Sequence, residues 1–244
     1  VSLALSSDQG IIIAKRSISL SKTFVIIGIF LACLSVLIAN VPHLAGNSIP
    51  STIPINGTEG INPIQSISYI AVPLQVFAAL LFSTPVLLLY VYDKNNGVLE
   101  YFLSLGKDQS DIYREYLKSA LILASVILIF EVALNGIVGL LERTSAFVLV
   151  TVPVLVVIIA LPVVTFTTLA MMAFSSLQKQ RVGSNQPLGL AIGVFAVLPA
   201  YIAPLVVPSA TVILDSILAA VVVGLSIVLF FLSSRLISRE KFLP

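Results

Sequence analysis

Six runs of predominantly apolar residues, at 24–42, 70–92, 119–141, 146–173, 188–207 and 212–233, dominate this chain, and nearly all of its charge lies between them. A helix needs roughly 20 such residues to cross a hydrocarbon core about 30 Å thick. In lipid its backbone must satisfy its own hydrogen bonds, which a helix does within one segment. The pattern therefore predicts an all-α polytopic membrane protein with six transmembrane helices. Composition agrees: 58% of the 244 residues are hydrophobic and 10% are charged, against about 25% charged in a soluble domain. The first run follows Lys15, Arg16 and Lys22 and ends in Asn40-Val41-Pro42-His43. It is too long for a signal-peptide core and has no small-residue cleavage site, so it is expected to stay in the membrane. The fourth run is long enough to tilt or to kink at Pro153 or Pro162.

Basic residues set the orientation, because Lys and Arg stay on the cytoplasmic side. Lys15, Arg16 and Lys22 precede the first run. Lys94, Lys107, Arg114 and Lys118 separate the second from the third. Lys179 and Arg181 separate the fourth from the fifth, and Arg235, Arg239 and Lys241 follow the sixth. Of the 13 basic residues only Arg143 falls on the other side, beside Glu142. Both termini are thus expected in the cytoplasm, with the chain in the plasma membrane and lipid around it. The outer segment 43–69 has no Lys or Arg and contains Asn56-Gly57-Thr58. That triplet reads either as an N-glycosylation acceptor at Asn56 or as an unmodified turn.

The chain divides into an N-terminal segment 1–23, a membrane domain 24–233 and a C-terminal tail 234–244. Within the first, Ile11, Ile12, Ala14 and Ile18 stand beside the basic residues Lys15 and Arg16. The spacing fits a short helix lying in the cytoplasmic interface, with an unstructured leader as the alternative. One cysteine (Cys33), one histidine (His43) and no tryptophan leave no disulfide framework and no Cys/His metal cluster. An intramembrane enzyme would need a nucleophile and base, paired acids or a metal set at membrane depth. The inventory does not supply one, and neither an enzyme nor a nucleic-acid-binding protein is expected.

The loop 93–118 carries more than a third of all the charges. Its periodicity places Val98, Leu99, Phe102, Leu103 and Leu105 on a short helix, with Gly97 as the break before it and Gly106 as its end. Asp108, Ser110 or Asp111 then caps a second helix running into the third span. A short apolar-faced helix at the cytoplasmic surface suits a membrane subunit that receives a push from a cytosolic partner; the plainer reading is a tie between two spans.

Asp93-Lys94-x-x-Gly97-x-Leu99-Glu100-Tyr101-x-Leu103-Ser104-Leu105, followed by a small break, Asp111-Ile112-Tyr113 and Lys118, resembles the segment after the second span in permease subunits of type-2 ABC transporters, the exporter class. The likeness covers about 25 residues in motif and the whole chain in layout. Gly106 stands where that family usually has Pro, either residue being expected to stop the helix, and the segment joining the last two runs is short. The resemblance implies a coupling helix seated in a cleft of a separate cytosolic ABC ATPase subunit, which would hold ATP and Mg. It also implies a second permease subunit, identical or not. The ATPase-coupling residues would be Gly97, Leu99, Glu100, Tyr101, Leu103 and Gly106, with Glu100 foremost for docking and the two glycines fixing the ends. This chain has no G-x-x-x-x-G-K-[ST] loop, so no cofactor is expected in it.

Ionisable groups inside a membrane are costly and are functional candidates by default. Glu131 falls mid-run, with Asn135 one turn later on the same face and Gly136 and Gly139 nearby. The pair reads as the lining of a translocation path, as a hydrogen-bonding subunit interface, or as an internal tie between helices. Asp215 reads as an interfacial cap. Thr165, Thr167 and Thr168 follow Pro162 and have hydroxyls able to serve carbonyls that a proline frees. The alternative to a transporter is a non-transporting anchor or scaffold subunit of a larger membrane complex. The sparsely charged interior favours an amphipathic cargo, such as a lipid or peptide.

Overall fold

The structure, a computed structural model, describes residues 4–44, 53–55, 58–61, 63–141, 146–175 and 211–236. In chain order these form α1 (Ala4–Leu20), α2 (Lys22–Leu44), β1 (Ile53–Ile55), β2 (Thr58–Ile61), α3 (Pro63–Asn95), α4 (Val98–Ser104), α5 (Gln109–Leu141), α6 (Ala146–Ser175) and α7 (Thr211–Leu236). Four helices are long and apolar enough to cross a membrane, at Lys22–Asn40, Ala71–Asn95, Gln109–Leu141 and Leu149–Met172; α7 adds a shorter apolar run, Ile213–Val228. The expected span 188–207 and Asn56 lie outside the described residues.

Helices alone do not account for the described chain. β1 and β2 pair antiparallel, Ile53 opposite Ile61 and Ile55 opposite Thr58. The β-branched Ile and Thr residues there favour extended backbone. The N-terminal segment is a helix, divided from α2 only at Ser21, whose N–H still donates to Ser17 O at 3.1 Å.

The bundle is organised around α3. Of its apolar window 78% is buried, against 33% for those of α2 and α5, because α1, α2, α4, α5 and α6 all pack on it while α7 packs on α6. Small residues set the closest approach. A Cβ on Gly28 of α2 would lie 3.3 Å from Phe82 of α3, a contact tight enough that α3 would have to give by a few tenths of an ångström to admit it. Outward faces carry Ile26, Phe30, Ile129 and Leu140, each at least 65% exposed. An apolar exterior of this kind is what hydrocarbon solvates and water does not.

Prolines occur inside two helices, Pro73 and Pro85 in α3 and Pro153 and Pro162 in α6. The threonine expectation holds at none of the three residues. Thr165 donates to Leu161 O at 2.9 Å, its own i−4 carbonyl, rather than to the Ile158 carbonyl that Pro162 leaves without a donor. Thr167 and Thr168 have buried hydroxyls with no partner among the described residues. The Pro162 carbonyl is instead used between helices, accepting from Ser226 Oγ of α7 at 2.9 Å.

Candidate functional site

The loop between the second and third runs folds into a defined module. Gly97 ends the turn after α3 with φ 71° and ψ 9°, and Gly106 has φ 78°. Both are left-handed conformations in which a Cβ costs roughly 1–2 kcal/mol. Between them α4 is closed by a paired C-terminal motif: Gly106 N–H donates to Leu103 O at 3.0 Å and Lys107 N–H to Phe102 O at 3.2 Å. Lys107 Nζ lies 5.4 Å from the Phe102 ring centroid, within cation–π range. Gly106 does end the helix, but in a way that Pro could not reproduce. Proline fixes φ near −65° and cannot adopt the positive φ that turns the chain toward α5. That helix begins at Gln109, so of the three candidate caps Asp108 holds the position, its carbonyl accepting from the N–H groups of Asp111 and Ile112 at 3.0 and 3.2 Å.

The residues expected to form a docking face divide between two faces of α4. Leu99 is fully buried in the core and Leu103 packs partly against it. Leu99 therefore anchors the helix from its inward face rather than standing on its outer surface. Glu100 is half-buried, and its carboxylate lies 3.7 Å from where a Cβ on Gly97 would stand. It thus sits over the first turn of its own helix, where negative charge is favoured. Outward stand Tyr101, 61% exposed, and Leu105, 59% exposed. Leu105 was legible from its i+4 spacing to Tyr101.

Beneath α4 an ionic cluster ties α1, α3 and α5 together. The Arg16 guanidinium reaches both oxygens of Asp93, at 2.8 and 3.2 Å, and Tyr116 OH donates to Asp93 Oδ2 at 2.6 Å. Asp93 is 1% exposed, a burial that a carboxylate tolerates only when paired and hydrogen-bonded. Tyr90 packs edge-on against Tyr116 with ring centroids 5.3 Å apart. Ser119 Oγ donates to Gly10 O at 2.9 Å and Lys107 Nζ to Gln9 Oε1 at 2.7 Å. α1 is therefore bound into the module that carries α4.

A second polar group lies at the far end of the bundle. Gln75, Glu131 and Asp215 are completely buried and Asn135 is 7% exposed. Among the described residues the side-chain oxygen and nitrogen of Gln75, the carboxylates of Glu131 and Asp215, and the Asn135 amide nitrogen have no hydrogen-bond partner. Their levels follow from the helical rise of about 1.5 Å per residue. Counted from the Asp93–Tyr116 contact, Glu131 lies about 22 Å along α5, Asn135 about 28 Å, and Gln75 about 27 Å along α3. Asp215 lies about 16 Å beyond Ser226, which shares a cavity with Leu121 and Ser125 of α5. All four therefore fall within about one turn of one another along the bundle axis. Gln75 and Asp215 lie at about the same level as the expected pair Glu131 and Asn135, and the Asp215 side chain is buried.

Each unpaired buried polar group costs about 1–3 kcal/mol. Replacing Glu131 with methionine is accordingly expected to raise the melting temperature of the detergent-solubilised protein by about 2–6 °C, from roughly 1–2 kcal/mol of relieved cost. A fall instead would mean that Glu131 ties helices together through a partner, and would remove it from the functional candidates.

Among the described residues no three His, Cys, Asp or Glu side chains are grouped as a metal site. Comparison with models of protein families, with curated proteins and with solved structures finds no match to this chain.

Proposed function

We propose that this chain is the membrane-spanning permease subunit of an ATP-driven ABC transporter of the exporter class. On this reading six helices cross the plasma membrane, both termini are cytoplasmic, and a second permease subunit completes the pathway. A separate ATPase subunit holds ATP and Mg and docks on α4. The observation that carries the reading is the construction of α4: a short helix bracketed by two left-handed glycines, anchored inward through Leu99 and presenting Tyr101 and Leu105 outward. A docked subunit that moved α4 would move Leu99 with it, and through the Arg16–Asp93–Tyr116 cluster the inner ends of α1, α3 and α5. Gln75, Glu131, Asn135 and Asp215 would then meet a polar part of the cargo at the other end of the same helices, with the apolar interior accommodating an amphipathic molecule.

The test is affinity capture of the detergent-solubilised chain beside a Tyr101→Asp, Leu105→Asp variant, with mass spectrometry of the co-purifying proteins. Both side chains are exposed, so the variant keeps the fold. Capture of a nucleotide-binding subunit by the wild type and its loss in the variant is the expected result. A stable assembly without any ATPase would replace this reading with that of a scaffold subunit.

A further inference from the structure

We propose that Glu131, Gln75 and Asn135 form a binding site for the primary ammonium group of an amphipathic cargo, between α3 and α5 at the end of the bundle remote from α4. This names the cargo chemistry for the transport reading and rests on that reading; the binding itself needs no ATPase. Helical register supports the grouping. α3 and α5, joined through the α4 module, run antiparallel and pack on each other, with Asp93 against Tyr116. Gln75 lies about five whole turns before Asp93 at 3.6 residues per turn, so it leaves α3 on the side that meets α5. The same distance along α5 from Tyr116 ends between Glu131 and Asn135. Both belong to the buried stripe of α5 that includes Tyr116, Ala120 and Ile127. Asp215 stands on α7, which packs on α6, and is not assigned to the site.

Charge and hydrogen-bonding capacity select the occupant. Glu131 Oε1, Glu131 Oε2 and Gln75 Oε1 are acceptors without a donor among the described residues, and Gln75 Nε2 and Asn135 Nδ2 are donors without an acceptor. Glu131 and Gln75 are fully buried, and an isolated carboxylate at that depth requires a cation or a proton. Among the described residues no side chain supplies the cation. On α5 the nearest is Lys118, about 20 Å away along the helix, α3 has only Lys94 in its last turn, and α6 has no Lys or Arg. One negative charge and three free acceptors match a primary ammonium, which brings one positive charge and three N–H donors. A quaternary ammonium brings the charge without donors, a proton satisfies a single oxygen, and divalent cations take roughly six or more oxygens. The two amide donors are left for a hydroxyl or carbonyl oxygen of the same ligand. A Cβ on Gly136, next to Asn135, would meet nothing within 4 Å, so a ligand has room to enter there.

Native mass spectrometry of the detergent-solubilised full chain with dodecylammonium or dodecyltrimethylammonium tests the site, the two probes sharing charge and chain length. The primary ammonium should bind about tenfold tighter, the worth of one hydrogen bond to a charged group. Glu131→Gln, which keeps the shape of the side chain, should bind both probes weakly and equally. Gln75→Leu, which leaves the carboxylate in place, should lose most of the preference for dodecylammonium while still binding dodecyltrimethylammonium. Equal affinity of the two probes for the wild type overturns the proposal by reducing the site to a charge. Undiminished dodecylammonium binding by Glu131→Gln overturns it too, as adsorption to apolar surface. A wild type that keeps the preference while capturing no ATPase supports the site and removes the ABC reading alone.

Discussion

Truncating Leu99 to alanine is expected to lower the melting temperature of the purified protein by about 5–15 °C, the equivalent of about 2–5 kcal/mol for a buried leucine. The size of the effect comes from the shape of α4. With seven residues it is far too short to be stable by itself in water, and Leu99 is its fully buried side chain. Loss of that anchor leaves a cavity against the core and a helix held mainly by its glycine-defined ends. Capture of an ATPase subunit should fall in parallel although no outward-facing residue has changed, whereas Tyr101→Asp should weaken capture with little change in melting temperature. Thermal unfolding and affinity capture on the same two variants separate anchoring from docking. Unchanged stability in Leu99→Ala would show that α4 does not depend on its inward face.

The second large effect is an asymmetry within the ionic cluster. Arg16→Met is expected to cost about 2–3 kcal/mol, below the 3–5 kcal/mol typical of breaking a fully buried pair because the arginine side chain is 45% exposed. It strands a carboxylate that is 1% exposed, with only the Tyr116 hydroxyl to satisfy it. Asp93→Asn should cost less. The amide oxygen still accepts from Tyr116, no buried charge remains, and the half-exposed guanidinium turns to water. The double variant should be more stable than Arg16→Met alone, since removing the carboxylate charge relieves what the first substitution stranded. Thermal melts of the three variants check the order. Equal losses for the two single variants would mean that Asp93 is better solvated than its burial indicates.

The coarse architecture was legible because it depends on properties that a linear chain displays. Apolar runs give the candidate spans by length, and four of the six expected runs coincide with helices long and apolar enough to cross a membrane. Gly97 and Gly106 marked the ends of α4 because a left-handed residue is a local requirement met locally. Periodicity found the apolar side of the same helix. It did not separate anchor from docking surface, and so Leu99 was grouped with Tyr101; which face turns inward depends on where the rest of the protein lies.

What the sequence by itself determined is the solvent and the punctuation: a chain too apolar for water, with long helices broken where glycine, proline and charge interrupt them. Only the tertiary structure decided which polar residues meet. Arg16 and Asp93 are 77 residues apart, and Tyr116 joins them from a third helix, 23 residues beyond Asp93. Nothing local in the sequence encodes such contacts. They are fixed when α1, α2, α5 and α6 close around α3 and exclude water, leaving charge at one end of the bundle paired and, among the described residues, polar groups at the other without partners.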